Sequence, residues 1–189
     1  ILLIRLEKII IKINLIVDDT YKLDDITKFS KNSIYAPYKI IKESGLLPKL
    51  NNQGRRPEHV LFNWLRGSVI IEYFIPVFST IFEVPVSSIS QIGDDDLKNL
   101  ETFRRSPKAD LEINKNGRKI RVEVQSGFQG INDIKEHKVR EAWNVYNCYS
   151  QHTICIHFDL FNGQVAFVQL DTIKKNDVNF VARQQMEGQ

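Results

Sequence analysis

Cysteine is scarce in this chain: of 189 residues only Cys148 and Cys155 carry a thiol. That count excludes a disulfide framework, and the spacing fits no zinc site. A reducing, cytoplasmic setting is the expectation. Long apolar runs are also missing. The N-terminal stretch ILLIRLEKIIIKINLIV is interrupted by Arg5, Glu7, Lys8 and Lys12, so neither a membrane span nor a signal peptide is expected, and no membrane partner. Glycine is sparse at 9 residues. The loop SGFQG (126–130) has no flanking Walker or dinucleotide pattern, although its glycines allow close backbone approach to a ligand. Net charge is weak, +3 with a pI near 8.8, which permits nucleic-acid binding without arguing for it. There is no internal repeat and no low-complexity segment. The chain opens on Ile1 and closes on QQMEGQ, so a longer parent at either end is an open expectation.

What is present is ordinary globular composition, 42% hydrophobic and 26% charged. It suits one domain, or one domain with a small appendage. The basic residues are unevenly spread: Arg55 and Arg56, Arg104 and Arg105, Lys108, then Lys115, Arg118, Lys119 and Arg121. Of these, Arg55, Arg56, Arg104, Arg105 and Lys108 are the candidate phosphate contacts.

Residues 1–17 are apolar on most sides, and a buried first helix is preferred over a strand. Asp24 or Asp25 is expected to cap a helix reaching Ser30, Asn32 to start a turn, and a second helix to run from Ile34 to Ser44. Gly45 and Pro48 would stop it. Such a pair suits a helix-turn-helix presenting Ser33, Tyr35, Tyr38, Lys39 and Lys42 to DNA, with Tyr35 and Lys39 its candidate contacts. Packed helices without a DNA role are the preferred alternative. Residues 1–50 thus read as a small helical N-terminal region, and 51–189 as an α/β core.

Pro57 stands at a good first helical position, and EHVLFNWLRGSVIIEYFIPVFSTIF reads as a core helix kinked at Pro76. Glu58 complements its dipole and Glu72 lies at the edge of its apolar stripe. Asp94, Asp95 and Asp96 precede LKNLETF and read as helix-capping acids. After residue 130 a helix is expected from Ile131 to Asn147. HTICIHFDLF, the turn Asn162–Gly163 and QVAFVQL form a hairpin. His152 and His157 fall on opposite strand faces and cannot share a metal.

The most informative stretch is PKADLEINKNGRKIRVEVQ, residues 107–125. Alternation and the Asn116–Gly117 pair predict a hairpin with Lys115, Asn116 and Gly117 in the turn. Pairing its apolar faces brings Asp110 beside Glu123, and two such carboxylates repel unless a proton or a metal sits between them. Glu112 is expected to pair with Arg121 across the hairpin.

Pro-x-x-Asp, a short hairpin and then Glu-x-Gln resembles the PD-(D/E)xK nuclease signature in the Glu-x-Gln form found in some type II restriction endonucleases. The resemblance spans roughly Pro57 to Asp171. It departs from the pattern in the two residues between Pro107 and Asp110 and in Gln125, which stands where most relatives have Lys. The resemblance implies a mixed β-sheet core flanked by helices. It also implies Mg²⁺ held by Asp110, Glu123 and the Val124 carbonyl, with Gln125 orienting the attacking water and a further carboxylate, Glu72, lent by the preceding helix. A homodimer cutting double-stranded DNA at a specific sequence is the implied function. The alternatives are a repair or recombination nuclease, and a DNA-binding protein with an inert core. Relatives with a displaced lysine sometimes carry it on the following helix, which makes Lys135 or Lys138 a stand-in; a solvated helix face is the preferred account of both.

Overall fold

The computed structural model describes residues 1–50, 56–93, 108–127, 133–174 and 176–180. They divide into two compact units, the first ending at Val77 and the second beginning at Phe78. The sequence suggested a boundary near residue 50. The division falls later because the helix after residue 56 shares its packing with the N-terminal helices.

In the first unit, helix α1 (Leu2–Ile16) buries only the stripe Leu6, Ile10 and Ile13, while Ile4, Ile11, Leu15 and Ile16 remain exposed. Helix α2 (Ile26–Ser30) is capped by Asp25, whose carboxylate accepts from the Lys28 amide at 2.8 Å. The expected turn at Asn32 is absent. The chain continues through a wider π-helical turn, Lys31–Tyr35, straight into α3 (Ala36–Glu43). Pro37 lacks an amide to donate and its ring crowds the carbonyl four residues back, and a widened turn accommodates both. No helix-turn-helix forms. Ser33, expected on an exposed face, is buried. The stop at Gly45 is as expected: its φ is +68°, and the amides of Gly45 and Leu46 bond back to Lys42 and Ile41 at 3.2 and 3.1 Å, closing the helix end.

Helix α4 (Pro57–Ile81) begins at Pro57 as expected. At 25 residues with mean hydropathy 1.3 it is long and apolar enough to cross a membrane. Much of it is nevertheless covered by protein, including Leu61, Trp64, Leu65, Val69, Ile70 and Tyr73. The Tyr73 hydroxyl donates to Asn14 Oδ1 at 2.8 Å, which ties α4 to α1.

The second unit is a mixed five-stranded sheet in the order β1-β2-β3-β4-β5. β1 (Ile89–Gln91) pairs antiparallel with β2 (Leu111–Lys115), and β2 antiparallel with β3 (Arg118–Gly127). β3 then runs parallel to β4 (His152–Asp159), and β4 is antiparallel to β5 (Gln164–Gln169). A parallel pair needs a crossover, and helix α5 (Glu136–Tyr149) lies in that connection. α5 starts later than the expected Ile131; residues 131 and 132 lie outside the described residues, and Asp133–Lys135 are non-helical. The β2–β3 turn is the two-residue Asn116–Gly117 with φ of 53° and 79°, so Lys115 pairs with Arg118. The second hairpin turn is longer than expected. β4 ends at Asp159 because its carboxylate takes the amides of Phe161 and Asn162 at 3.0 and 3.1 Å.

Both faces of the central strands are covered. Leu111, Ile113, Val122 and Ile156 are fully buried on one face. On the other, Val139 and Ala142 of α5 pack with Cys155, Leu170, Trp143 and Val168. Glu123, Gln125, Cys155 and His157 therefore point into a protein-covered layer, since parallel partners share a face.

Candidate functional site

The site is built where β2 enters the sheet. Leu111 pairs with Val122, so Asp110, one residue earlier, lies opposite Glu123. The Asp110 side chain replaces a ladder bond: Oδ2 accepts from the Val124 amide at 2.7 Å. The Asp110 carbonyl is held from the other side by the amides of Ile92 and Gly93 at 2.9 and 3.2 Å. A residue's amide and carbonyl face the same strand edge, so the Val124 carbonyl is turned towards Asp110 as well.

Glu123 is 5% exposed. Its Oε2 accepts from Lys138 Nζ at 2.7 Å, and the same ammonium donates to the Lys108 carbonyl at 3.1 Å. Burial pushes the Glu123 carboxyl above its usual range, against the opposing pull of Lys138, a hydrogen bond from Gln125 and the charge of Lys135. Glu123, Gln125 and Lys138 are thus one connected group, and Asp110 lies opposite Glu123 in the continued register of the hairpin. The preferred solvated reading of Lys138 does not hold, because α5 lies across the sheet and the Lys138 side chain is only 15% exposed. Lys135 is exposed.

Beside this group lie two residues that sequence reasoning did not assign to it. Cys155 pairs with Glu123 across β3 and β4, and burial together with the Glu123 and Asp110 carboxylates pushes its thiol up to about 12. In native protein near neutral pH, Cys148 is expected to react with a thiol reagent and Cys155 to stay silent, because Cys148 is exposed and Cys155 buried. A disulfide-exchange assay before and after denaturation checks this; two thiols reacting at once in the native state would contradict the packing. His157 pairs with Gln125. It is 6% exposed with no hydrogen-bond partner at either ring nitrogen among the described residues, and burial holds its pKa down against Asp159 and Asp133.

Glu72 belongs to the first unit, where its Oε1 accepts from Ser33 Oγ at 2.8 Å. Tyr35 donates to Glu7 Oε2 at 3.0 Å and Lys39 sits 3.8 Å from Glu43. Arg56 and Lys108 are exposed. Arg55, Arg104, Arg105 and the three aspartates 94–96 lie outside the described residues. Glu112 pairs with Lys119 at 2.7 Å, not with Arg121, which instead reaches Glu141 of α5 at 3.3 Å.

Among the described residues no cluster of three or more His, Cys, Asp or Glu side chains is arranged to hold a metal. Two carboxylates and a carbonyl are nevertheless the kind of set Mg²⁺ takes, with waters and phosphate oxygens completing its shell. Gly93 matters to this geometry. A Cβ there would stand 3.1 Å from Asp110 Cα and 3.4 Å from Asp110 Oδ1, so Gly93→Ala displaces Asp110 by a few tenths of an ångström. Any activity that depends on Asp110 is expected to fall about tenfold with little change in melting temperature, measured on one preparation. Unchanged activity would remove Asp110 from the site.

No protein-family model, no curated protein and no solved structure matches this chain.

Proposed function

We propose that the chain is a Mg²⁺-dependent endonuclease acting on double-stranded DNA, with a restriction-endonuclease-like core and a homodimeric, sequence-specific mode of cutting. The observation that carries this reading is the buried Glu123–Lys138 pair standing opposite Asp110 in the hairpin register, with Asp110 bonded to the Val124 amide. The element order in the second unit, three antiparallel strands followed by a helix and a parallel strand, agrees with the resemblance drawn from residues 107–125. The free cysteines suit a cytoplasmic protein.

In this reading Asp110, Glu123 and the Val124 carbonyl hold the ion. Bound Mg²⁺ supplies a lowered water pKa and neutralises charge on the phosphate. Gln125, beside Glu123, orients the attacking water by accepting and donating hydrogen bonds, and it carries no charge of its own. Lys138 provides the cation that position 125 lacks and stabilises negative charge developing on the scissile phosphate.

Incubating supercoiled plasmid with the protein in Mg²⁺ and in EDTA tests the proposal. Discrete fragments in Mg²⁺ alone are expected. A DNA mobility shift that is the same with and without Mg²⁺, and no cutting, would instead make this a DNA-binding protein with an inert core. A smear of fragments would favour a nuclease of repair or recombination type.

A further inference from the structure

At the far end of β3 from Glu123 the second unit has a second concavity. It is a groove of about 1030 Å³ between the β2–β3 turn and the C-terminal end of α5. It is lined by Arg118 and Lys119 of β3, Tyr146 and Tyr149 of α5, and Gln151 and His152. Five residues of strand separate Arg118 from Glu123, about 17 Å.

The chemistry of the walls specifies a ligand. Among the described residues no acidic side chain lines the groove, and three cations do, Lys115, Arg118 and Lys119. Lys115 is held by Glu83 and Lys119 by Glu112, each within 2.8 Å. Arg118 makes no ion pair among the described residues and is exposed, so its guanidinium is available to an anion. The Tyr146 ring stacks on His152, centroids 4.9 Å apart and 29° from parallel. That imidazole is itself fixed by Asp171 at 2.8 Å and Gln169 at 2.9 Å. Tyr149, one turn further along α5, is 67% exposed and offers a bare ring face. Gln151 Oε1 is buried without a hydrogen-bond partner among the described residues, an acceptor that a ligand's donor would meet.

An exposed aromatic ring, a guanidinium with no ion pair among the described residues and an unmet acceptor, all lining one groove, match a nucleotide: a flat base, an anionic phosphate and base N–H donors. We infer that this groove binds a single-stranded segment of nucleic acid, with a base on Tyr149 and a phosphate on Arg118. A duplex hides its base faces in the stack, whereas an unpaired strand presents them to aromatic side chains. The assignment does not rest on the hydrolase reading, since the groove and the Asp110–Glu123 group share no residue.

The test is fluorescence anisotropy with labelled oligo(dT), carried out on the full chain in EDTA so that cutting plays no part. Wild type is expected to bind oligo(dT), and Tyr149→Ala to weaken it about tenfold while Tyr149→Phe leaves it within about twofold. Arg118→Ala is expected to weaken binding and reduce the slope of log affinity against log salt by about 0.7. Both side chains are exposed, so the variants should melt as wild type does. Competition by free thymidine monophosphate as effective as by the oligonucleotide would assign the groove to a free nucleotide and overturn the strand assignment. Preferential binding of a duplex, or equal affinity of wild type and Tyr149→Ala, would overturn it too.

Discussion

Glu123→Gln is expected to reduce Mg²⁺-dependent cleavage by about a thousandfold or more while making the metal-free protein less sensitive to rising pH. The Glu123 carboxyl is buried, and burial raises its pKa above the ordinary value of 4.5. A raised folded pKa means that the folded state holds the proton more tightly than the unfolded chain does. The associated stability is therefore fully present below pH 4.5 and is lost as pH climbs through the folded pKa. Glutamine has no such proton, so its melting temperature should change less over that interval, and the difference between variant and wild type should move in the variant's favour. Magnesium should act oppositely. It favours the ionised carboxylate, so it should raise the melting temperature of wild type and leave that of Glu123→Gln unmoved. Melting curves at several pH values, with and without Mg²⁺, test both statements. An equal Mg²⁺ shift in the two proteins would remove Glu123 from the ion's shell.

Lys138→Met is expected to lose about 3 kcal/mol of stability and about a hundredfold in cleavage. The two losses have separable causes. Without the ammonium, 2.7 Å away, the Glu123 carboxylate is left buried with a weaker set of partners. That is the costly way to break a buried ion pair. Removing both charges in Glu123→Gln with Lys138→Met should recover most of the stability and none of the activity. If Lys138 serves only to hold the fold, the stability cycle would look the same. In that case Lys138→Arg, which keeps the cation, would cut no better than Lys138→Met once both are compared well below their melting temperatures. Measurable recovery in Lys138→Arg is the outcome expected of a cation that stabilises charge on the substrate.

The hairpin at the centre of the site was legible because three local signals agree: alternation in residues 108–114, alternation in 119–126, and Asn116–Gly117 supplying two positive φ angles. Register followed from the apolar pattern, and with it the apposition of Asp110 and Glu123. Lys138 was not legible as their partner, because the phase at which a helix docks on a sheet depends on long-range packing that no local pattern encodes. The same holds for Arg121, which leaves its in-register neighbour Glu112 for Glu141 on α5. β1 went unread within its connecting stretch because three residues are too few to show a period. Asn32 failed as a turn signal for a different reason. A turn-favouring residue does not break a helix when the helical conformation that follows it buries Ile34 and Ile41 completely.

Cleavage of supercoiled plasmid by wild type and Asp110→Ala, side by side in Mg²⁺ and in EDTA, tests the central claim most directly. Asp110 is chosen because its bond to the Val124 amide can be replaced by water at this partly exposed edge, so the variant should fold. Wild type should cut in Mg²⁺ and not in EDTA, and Asp110→Ala in neither. Cutting by Asp110→Ala at the wild-type rate would contradict the claim and move the chemistry away from the β2–β3 site.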